Sequence, residues 1–261
     1  MNQFNHQKLS SFFITDPAPC PYIDGQMERK LFTHLTGSKA VLINNTLTHA
    51  GFRRSQTVAY RPACDACTAC ASVRVRVGAF TPSRNLKRIF KRNEDLTRTI
   101  CPPSATREQY DLFVSYLDTR HPAGGMSGMT PLDFMAMIEE TTVDTHLVEY
   151  RLPDNRLVAC VLADKMADGL SLVYSFFDTK LSERSLGTLI ILDQIKRAQL
   201  NKKDHVYLGY FIHDCEKMSY KQRFKPLDVL HLEGWVDFDT HTASSTHTAT
   251  DTQAKGGTKT A

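Results

Sequence analysis

Apolar and polar residues alternate along this chain with two different periods. From 186 to 200 the apolar side chains fall at 186, 189, 190, 191, 192 and 195, which predicts a helix with a broad buried face. Val73-Arg74-Val75-Arg76-Val77 alternates strictly, which predicts a strand with valines on one face and arginines on the other. The runs 146–152, 157–165 and 170–177 are separated by Pro153-Asp154-Asn155 and Asp168-Gly169, and predict a three-stranded antiparallel meander. A strand at 206–212 follows the 186–200 helix. Helical patterns also cover 24–35, 108–118 and 133–140, the last with Pro131 near its start, and strand character covers 51–60. A turn or linker is expected at Cys101-Pro102-Pro103-Ser104. The predicted organisation is a smaller cysteine-containing domain over 1–100 and a larger α/β domain over 101–238. Meander, glycine-bearing loop, buried helix and returning strand form an arrangement of the kind acyltransferases use.

Composition narrows the class. The chain has 261 residues, 41% hydrophobic and 23% charged, enough for a substantial core and close to ordinary globular usage. Its apolar runs fall well short of the roughly 18 residues a membrane span needs, so no membrane partner is expected. The N-terminus lacks a basic segment followed by an apolar stretch, and the location expected is cytoplasmic. From 239 to 261 there are eight threonines and no apolar side chain larger than alanine, the composition of a disordered tail.

The cysteines supply the sharpest local pattern. Cys64, Cys67 and Cys70 stand at x-x spacing within seven residues, and thiolates so placed converge on one soft metal or iron–sulfur cluster when the backbone turns between them. Cys20 is the candidate fourth ligand. The alternative is a set of reduced cysteines packing as small apolar groups.

The net charge of +4 is unevenly spread. Arg84, Lys87, Arg88, Lys91 and Arg92 repeat at helical spacing and predict a basic stripe that Arg53, Arg54, Arg74 and Arg76 would extend. Such a stripe suits an RNA backbone, because each phosphate neutralised releases counterions; the alternative is a solvated helix face. Arg184-Ser185-Leu186-Gly187-Thr188 is a degraded form of a pyrophosphate-holding loop before a helix, with the second glycine missing. Polar groups also crowd the segment after the 206–212 strand, where active sites often form. Asp178, at a strand end, and His213 are the candidate proton acceptors. Tyr210 and Tyr220 are candidate substrate contacts.

These segments together resemble the bacterial aspartate/glutamate leucyltransferase branch of the arginyl-tRNA-protein transferase family. The resemblance is carried by Cys20-Pro21-Tyr22, Gly51-Phe52-Arg53-Arg54-Ser55, Tyr60-Arg61-Pro62 with the three cysteines after it, Phe80-x-Pro82-Ser83-Arg84, Tyr174-Ser175-Phe176-Phe177-Asp178, Ser185-Leu186-Gly187-Thr188, Tyr207-Leu208-Gly209-Tyr210 and Met218-x-Tyr220-Lys221. It implies an N-acetyltransferase-like catalytic domain and an aminoacyltransferase that moves leucine from Leu-tRNA to proteins with N-terminal Asp or Glu, creating a degradation signal. It implies no required cofactor; the metal or cluster reading rests on cysteine spacing alone. For such a reaction the acidic residue of the protein substrate would be gripped by Arg184, Lys217 or Lys221. The rival readings are an arginyl donor, a non-catalytic RNA-binding protein, and a coenzyme A-dependent acetyltransferase, against which the missing glycine argues.

Overall fold

The structure, a computed structural model, describes residues 11–122, 124–213 and 215–240; the threonine-rich tail expected from 239 lies almost wholly outside them. The N-terminal part contributes β1 (Phe13–Ile14), β2 (Ala18–Pro19), β3 (Met27–Glu28), β4 (Lys30–His34), α1 (Ala40–His49), β5 (Arg53–Ser55) and β6 (Val58–Pro62). β2 and β3 make a short ribbon, and β1, β4, β6 and β5 form a four-stranded sheet in that order. The remaining elements are β7 (Ala71–Arg76), α2 (Arg84–Arg92), β8 (Thr97–Cys101), α3 (Arg107–Arg120), α4 (Pro131–Glu139), β9 (Thr145–Arg151), β10 (Leu157–Lys165), β11 (Gly169–Phe177), α5 (Leu186–Leu200), β12 (His205–Phe211), α6 (Glu216–Ser219), β13 (Leu227–His231) and β14 (Gly234–Asp237). One eight-stranded sheet runs β14-β13-β7-β12-β11-β10-β9-β8.

The expected α/β architecture is present: the meander β9-β10-β11, a 3-10 turn, the buried helix α5 and the returning strand β12 follow one another in the order the pattern predicts. The sheet is covered on both faces. On one side Val158 and Val161 of β10 pack with Leu186, Ile190 and Ile195 of α5 and with Leu86 and Ile89 of α2. On the other, Cys160 and Leu162 pack with Phe113 and Leu117 of α3 and with Phe134 and Ile138 of α4. Burial on two faces explains why β10 is apolar almost throughout rather than alternating. α3 and α4 each begin with a capping box, Thr106 with Gln109 and Thr130 with Asp133.

Two expectations change. The helical pattern at 24–35 gives way to β3 and β4: Gly25 takes a left-handed backbone, φ +74°, which turns the chain, and Lys30–His34 is then paired on both sides, with β1 and β6. Tertiary pairing has overridden a short periodic window. The partition at residue 101 also does not coincide with a boundary between sheets, because β7 lies before it, β8 runs across it, and both belong to the large sheet.

Candidate active site

Most pairs in the large sheet are antiparallel, but β11 and β12 are parallel and pair over only three residues, Gly169 with His205, Leu170 with Val206 and Ser171 with Tyr207. Beyond that level each strand carries a bulge on its other ladder. Val173 is the extra residue where β11 pairs with β10, and Leu208 is the extra residue where β12 pairs with β7. Bulges bend a strand and leave ladder groups unpaired, so two at one level open a V between β11 and β12.

Arg53 fills the base of this V. Its guanidinium donates to the carbonyls of Leu172 (3.1 Å), Val173 (2.9 Å) and Leu208 (3.5 Å), joining through one planar cation the carbonyls that strand pairing has released. The approach requires a glycine opposite. Gly209 has φ +78°, and a Cβ there would overlap the Arg53 guanidinium. The neighbouring Arg54 points to the opposite side of β5, as strand alternation demands. It makes a bidentate pair with Asp164 of β10, 2.6 and 2.7 Å, and donates to Thr145 at 3.1 Å. Its side chain is 2% exposed and that of Asp164 1%. The four-stranded sheet is thus tied to the large sheet at two adjacent residues.

The expected extension of the basic stripe through these strands therefore does not occur. Arg53 and Arg54 point inward to carbonyls and a carboxylate; Arg74 pairs with Asp228 at 3.1 Å and lies over Trp235; Arg76 pairs with Asp228 and Asp237. Arg54, Arg74 and Arg76 are thus paired with carboxylates within the fold, and Arg53 is turned inward to backbone carbonyls.

Around Arg53 the lining is phenolic. The Tyr210 hydroxyl donates to the carbonyls of Tyr60 (3.0 Å) and Gly51 (3.2 Å), and its ring packs edge-on to that of Tyr60. Tyr22 and Tyr116 lie within electrostatic reach of Tyr174, and burial pushes the Tyr174 hydroxyl far up. Tyr220 is 39% exposed. Lys221, by contrast, is 6% exposed. Its Nζ donates to the Tyr210 carbonyl, and burial, with Arg53 nearby, lowers its pKa to about 7.

Other expected site residues are placed differently. Arg184 is committed to Asp95 in a bidentate pair at 2.8 and 2.9 Å and so staples the 3-10 turn before α5 to the end of α2. Asp178 accepts from Arg156 at 2.9 Å and from the Lys180 amide at 3.0 Å, the bonding of a turn carboxylate. His213 is exposed just past β12. Lys217 is exposed at the α6 turn. His121, at the end of α3, is held below its ordinary pKa by burial and by the charges of Lys217 and Arg120, so both cations act on the same imidazole.

The cysteines gather as their spacing suggests: burial and the Cys20, Cys64 and Cys67 thiols push the Cys70 thiol up to about 11. Among the described residues, however, no three side chains of the ligating types stand in metal-binding geometry. The donor chemistry suits a soft metal but the positions do not form its shell, so no step of the reaction is derived through one. The basic helix is as expected. Leu86 and Ile89 face the core while Arg84, Lys87, Arg88, Lys91 and Arg92 are all exposed. Arg92 also donates to the Glu183 carbonyl.

Sequence reasoning did not find Arg53 and Gly209 as a pair. The available signal was a glycine inside a strand pattern, Tyr207-Leu208-Gly209-Tyr210, which marks a bulge or a close backbone approach.

Comparison with known families decides the relationship. The family described as "Arginine-tRNA-protein transferase, N terminus" matches residues 18–88, and "Arginine-tRNA-protein transferase, C terminus" matches 108–231. The chain belongs to the arginine-tRNA-protein transferase family. Members named "Aspartate/glutamate leucyltransferase" are similar throughout. The one from Mesorhizobium japonicum is 52% identical over 243 residues, covering 89% of this chain and 96% of the relative. That from Parvibaculum lavamentivorans is 52% identical over 235 residues, covering 90% and 98%, and that from Brucella ovis 51% identical, covering 89% and 98%. A solved structure described as "The structure of L-PGS from Bacillus licheniformis" aligns over 77% of this chain and 68% of its own, with 13% identity and a TM-score of 0.45. The N-terminal family segment supplies Arg53 and the C-terminal segment Gly209, so the wedge is assembled from both. Among the described residues no helix is long and apolar enough to cross a membrane.

Proposed function

We propose that this protein transfers leucine from Leu-tRNA to the α-amine of proteins that begin with Asp or Glu. Family membership makes it an aminoacyl-tRNA–protein transferase, and relatives at about half identity carry the leucyltransferase name. The observation that favours a leucyl over an arginyl donor is the lining of the V. Tyrosine rings lie against the Arg53 guanidinium and the Lys221 amine, and the nearby carboxylate Glu28 is paired with Lys30 at 2.9 Å. An arginyl side chain would meet like charge there, whereas a leucyl side chain meets ring faces.

The chemistry asks little of the enzyme beyond placement. The peptide's α-amine has an unperturbed pKa of about 7.7 to 8.0, so a neutral fraction exists at neutral pH. The donor is an activated ester, and holding amine and carbonyl about 3 to 3.5 Å apart supplies much of the acceleration. With Arg184 held by Asp95 and Lys221 buried, Lys217 remains from the expected cations to grip the acidic side chain, and Arg120 joins it. Replacing both Lys217 and Arg120 by Ser is expected to raise KM for an Asp-leading peptide roughly tenfold or more, the loss of a charge-assisted contact, with KM for Leu-tRNA unchanged. Steady-state kinetics with each substrate varied in turn checks this.

The α2 stripe is the surface we assign to the tRNA backbone. Changing Lys87, Arg88 and Lys91 to Ser is expected to weaken tRNA binding and to reduce the slope of log K against log salt by about 2 to 3, near 0.7 to 0.9 for each phosphate that is no longer neutralised. Filter binding at several salt concentrations reads the slope, and an unchanged slope would place the tRNA elsewhere. The donor is tested by offering Leu-tRNA and Arg-tRNA in competition with one Asp-leading peptide. Leucine should enter the peptide and arginine should not; preferential arginine transfer would overturn the donor reading while keeping the family.

A further inference from the structure

We propose that Lys221 is the group that takes the proton from the attacking peptide nitrogen and hands it to the departing ribose oxygen; this rests on the transfer reaction proposed above. Three observations lead to it. First, the Nζ atom lies at the open end of the V, donating to the carbonyl of Tyr210, which is one residue past Gly209 and beyond the last paired level of β11 and β12. Second, Lys221 is buried where a charged amine is disfavoured, and among the described residues that act on it there is no carboxylate; Arg53 adds to the penalty and only the Cys215 thiol works against it. Arg53 reaches it from β5, Cys215 from the start of α6, and the Tyr220 ring lies at 5.9 Å; none of these is a carboxylate. The result is an amine that gains and loses its proton near neutrality, at about 7. Third, the carboxylate at the neighbouring strand end, Asp178, has both oxygens engaged by Arg156 and by the Lys180 amide.

The proton balance closes without another reactant. The neutral peptide amine attacks the ester carbonyl carbon, its lone pair forming the new C–N bond. The nitrogen, now positively charged, releases one proton to neutral Nζ. As the ester C–O bond breaks, its electron pair stays on the ribose oxygen, which receives that proton from Nζ. Lys221 returns to its neutral form, ready for another cycle.

The test is kcat for leucine transfer, at saturating Leu-tRNA and peptide, between pH 6 and 9, for the full chain and for Lys221→Met and Lys221→Arg, with melting temperatures recorded. The wild-type rate should rise with pH and level off. Both variants should be at least about 100-fold slower, the scale of general-base catalysis, and should lose the inflection. Lys221→Met should melt no lower than the wild type, since it replaces a buried charge with an apolar chain. A Lys221→Met variant within about threefold of wild type, or slowed with the same inflection, would make Lys221 a packing residue and overturn the proposal. A second peptide, led by a β-fluorinated acidic residue with a less basic amine, guards against variants that fail to fold. An inflection that stays in place with this peptide belongs to the enzyme, whereas one that moves with the peptide amine contradicts the assignment. If the wild type transfers no leucine at all, the proposed function fails rather than this inference.

Discussion

Arg54→Met is expected to destabilise the fold by about 3 to 5 kcal/mol, the cost of leaving one member of a buried ion pair without its partner. Asp164 is 1% exposed and accepts three hydrogen bonds, two from the Arg54 guanidinium and one from Thr145. Once the cation is gone, the carboxylate must stay charged in a dry site or be protonated there. Native domains are stable by only about 5 to 15 kcal/mol, so the variant should unfold at markedly lower denaturant, and some of it should be lost during expression. The pair itself contributes less than this number suggests. In the double variant Arg54→Met with Asp164→Leu the orphaned charge is absent, so most of the loss should be recovered. Urea unfolding of the four members of this cycle measures the coupling. A single-variant loss below about 1 kcal/mol would mean that water reaches Asp164 and that the two sheets are held by other contacts.

Gly209→Ala is expected to lower leucine transfer by about 100-fold or more while tRNA binding stays within about twofold, the order of effect seen when reacting groups are displaced by an ångström. The added methyl would overlap the Arg53 guanidinium and would also force an L side chain into a left-handed backbone, φ +78°. Arg53 would then leave the carbonyls of Leu172, Val173 and Leu208, and the V would lose the cation that fixes its width. Arg53→Lys should show a milder version of the same defect. An ammonium is a point charge and cannot span three carbonyls in a plane as a guanidinium does. Kinetics at saturating tRNA separates this from a folding defect, because α2, the proposed tRNA surface, is remote in sequence from both residues. Near-normal transfer by Gly209→Ala would show that the wedge is not where the acyl group and amine meet.

Much of the scaffold was legible because local pattern and tertiary environment agree in it. α5, the β9-β10-β11 meander, β12 and the basic helix α2 each carry a clear period, and α3 and α4 carry caps as well. α1 was missed because its apolar residues do not form a stripe. Val41 and Leu42 are exposed, while Asn44 and Thr48 are buried. The strand at Lys30–His34 was misread because its identity depends on β1 and β6 flanking it, which no short window records. The site was legible only in part. Gly51-Phe52-Arg53-Arg54-Ser55 and Tyr207-Leu208-Gly209-Tyr210 both stood out in the sequence, but their meeting is a contact across 155 residues or more. The two bulges that create its partners exist only once the sheet has formed. Arg184 and Asp178 drew attention for their position before a helix and after a strand, and those positions are the ones that turns and staples also use.

The measurement that bears most directly on the central claim is transfer of radiolabelled leucine from Leu-tRNA to two peptides that differ only in their first residue, Asp or Asn, by the purified full chain. Label is expected in the Asp-leading peptide and little in the Asn-leading one, since an amide cannot replace the carboxylate in a charge-assisted grip. Equal labelling of both peptides, or tight tRNA binding with no label in either, would contradict the proposed function.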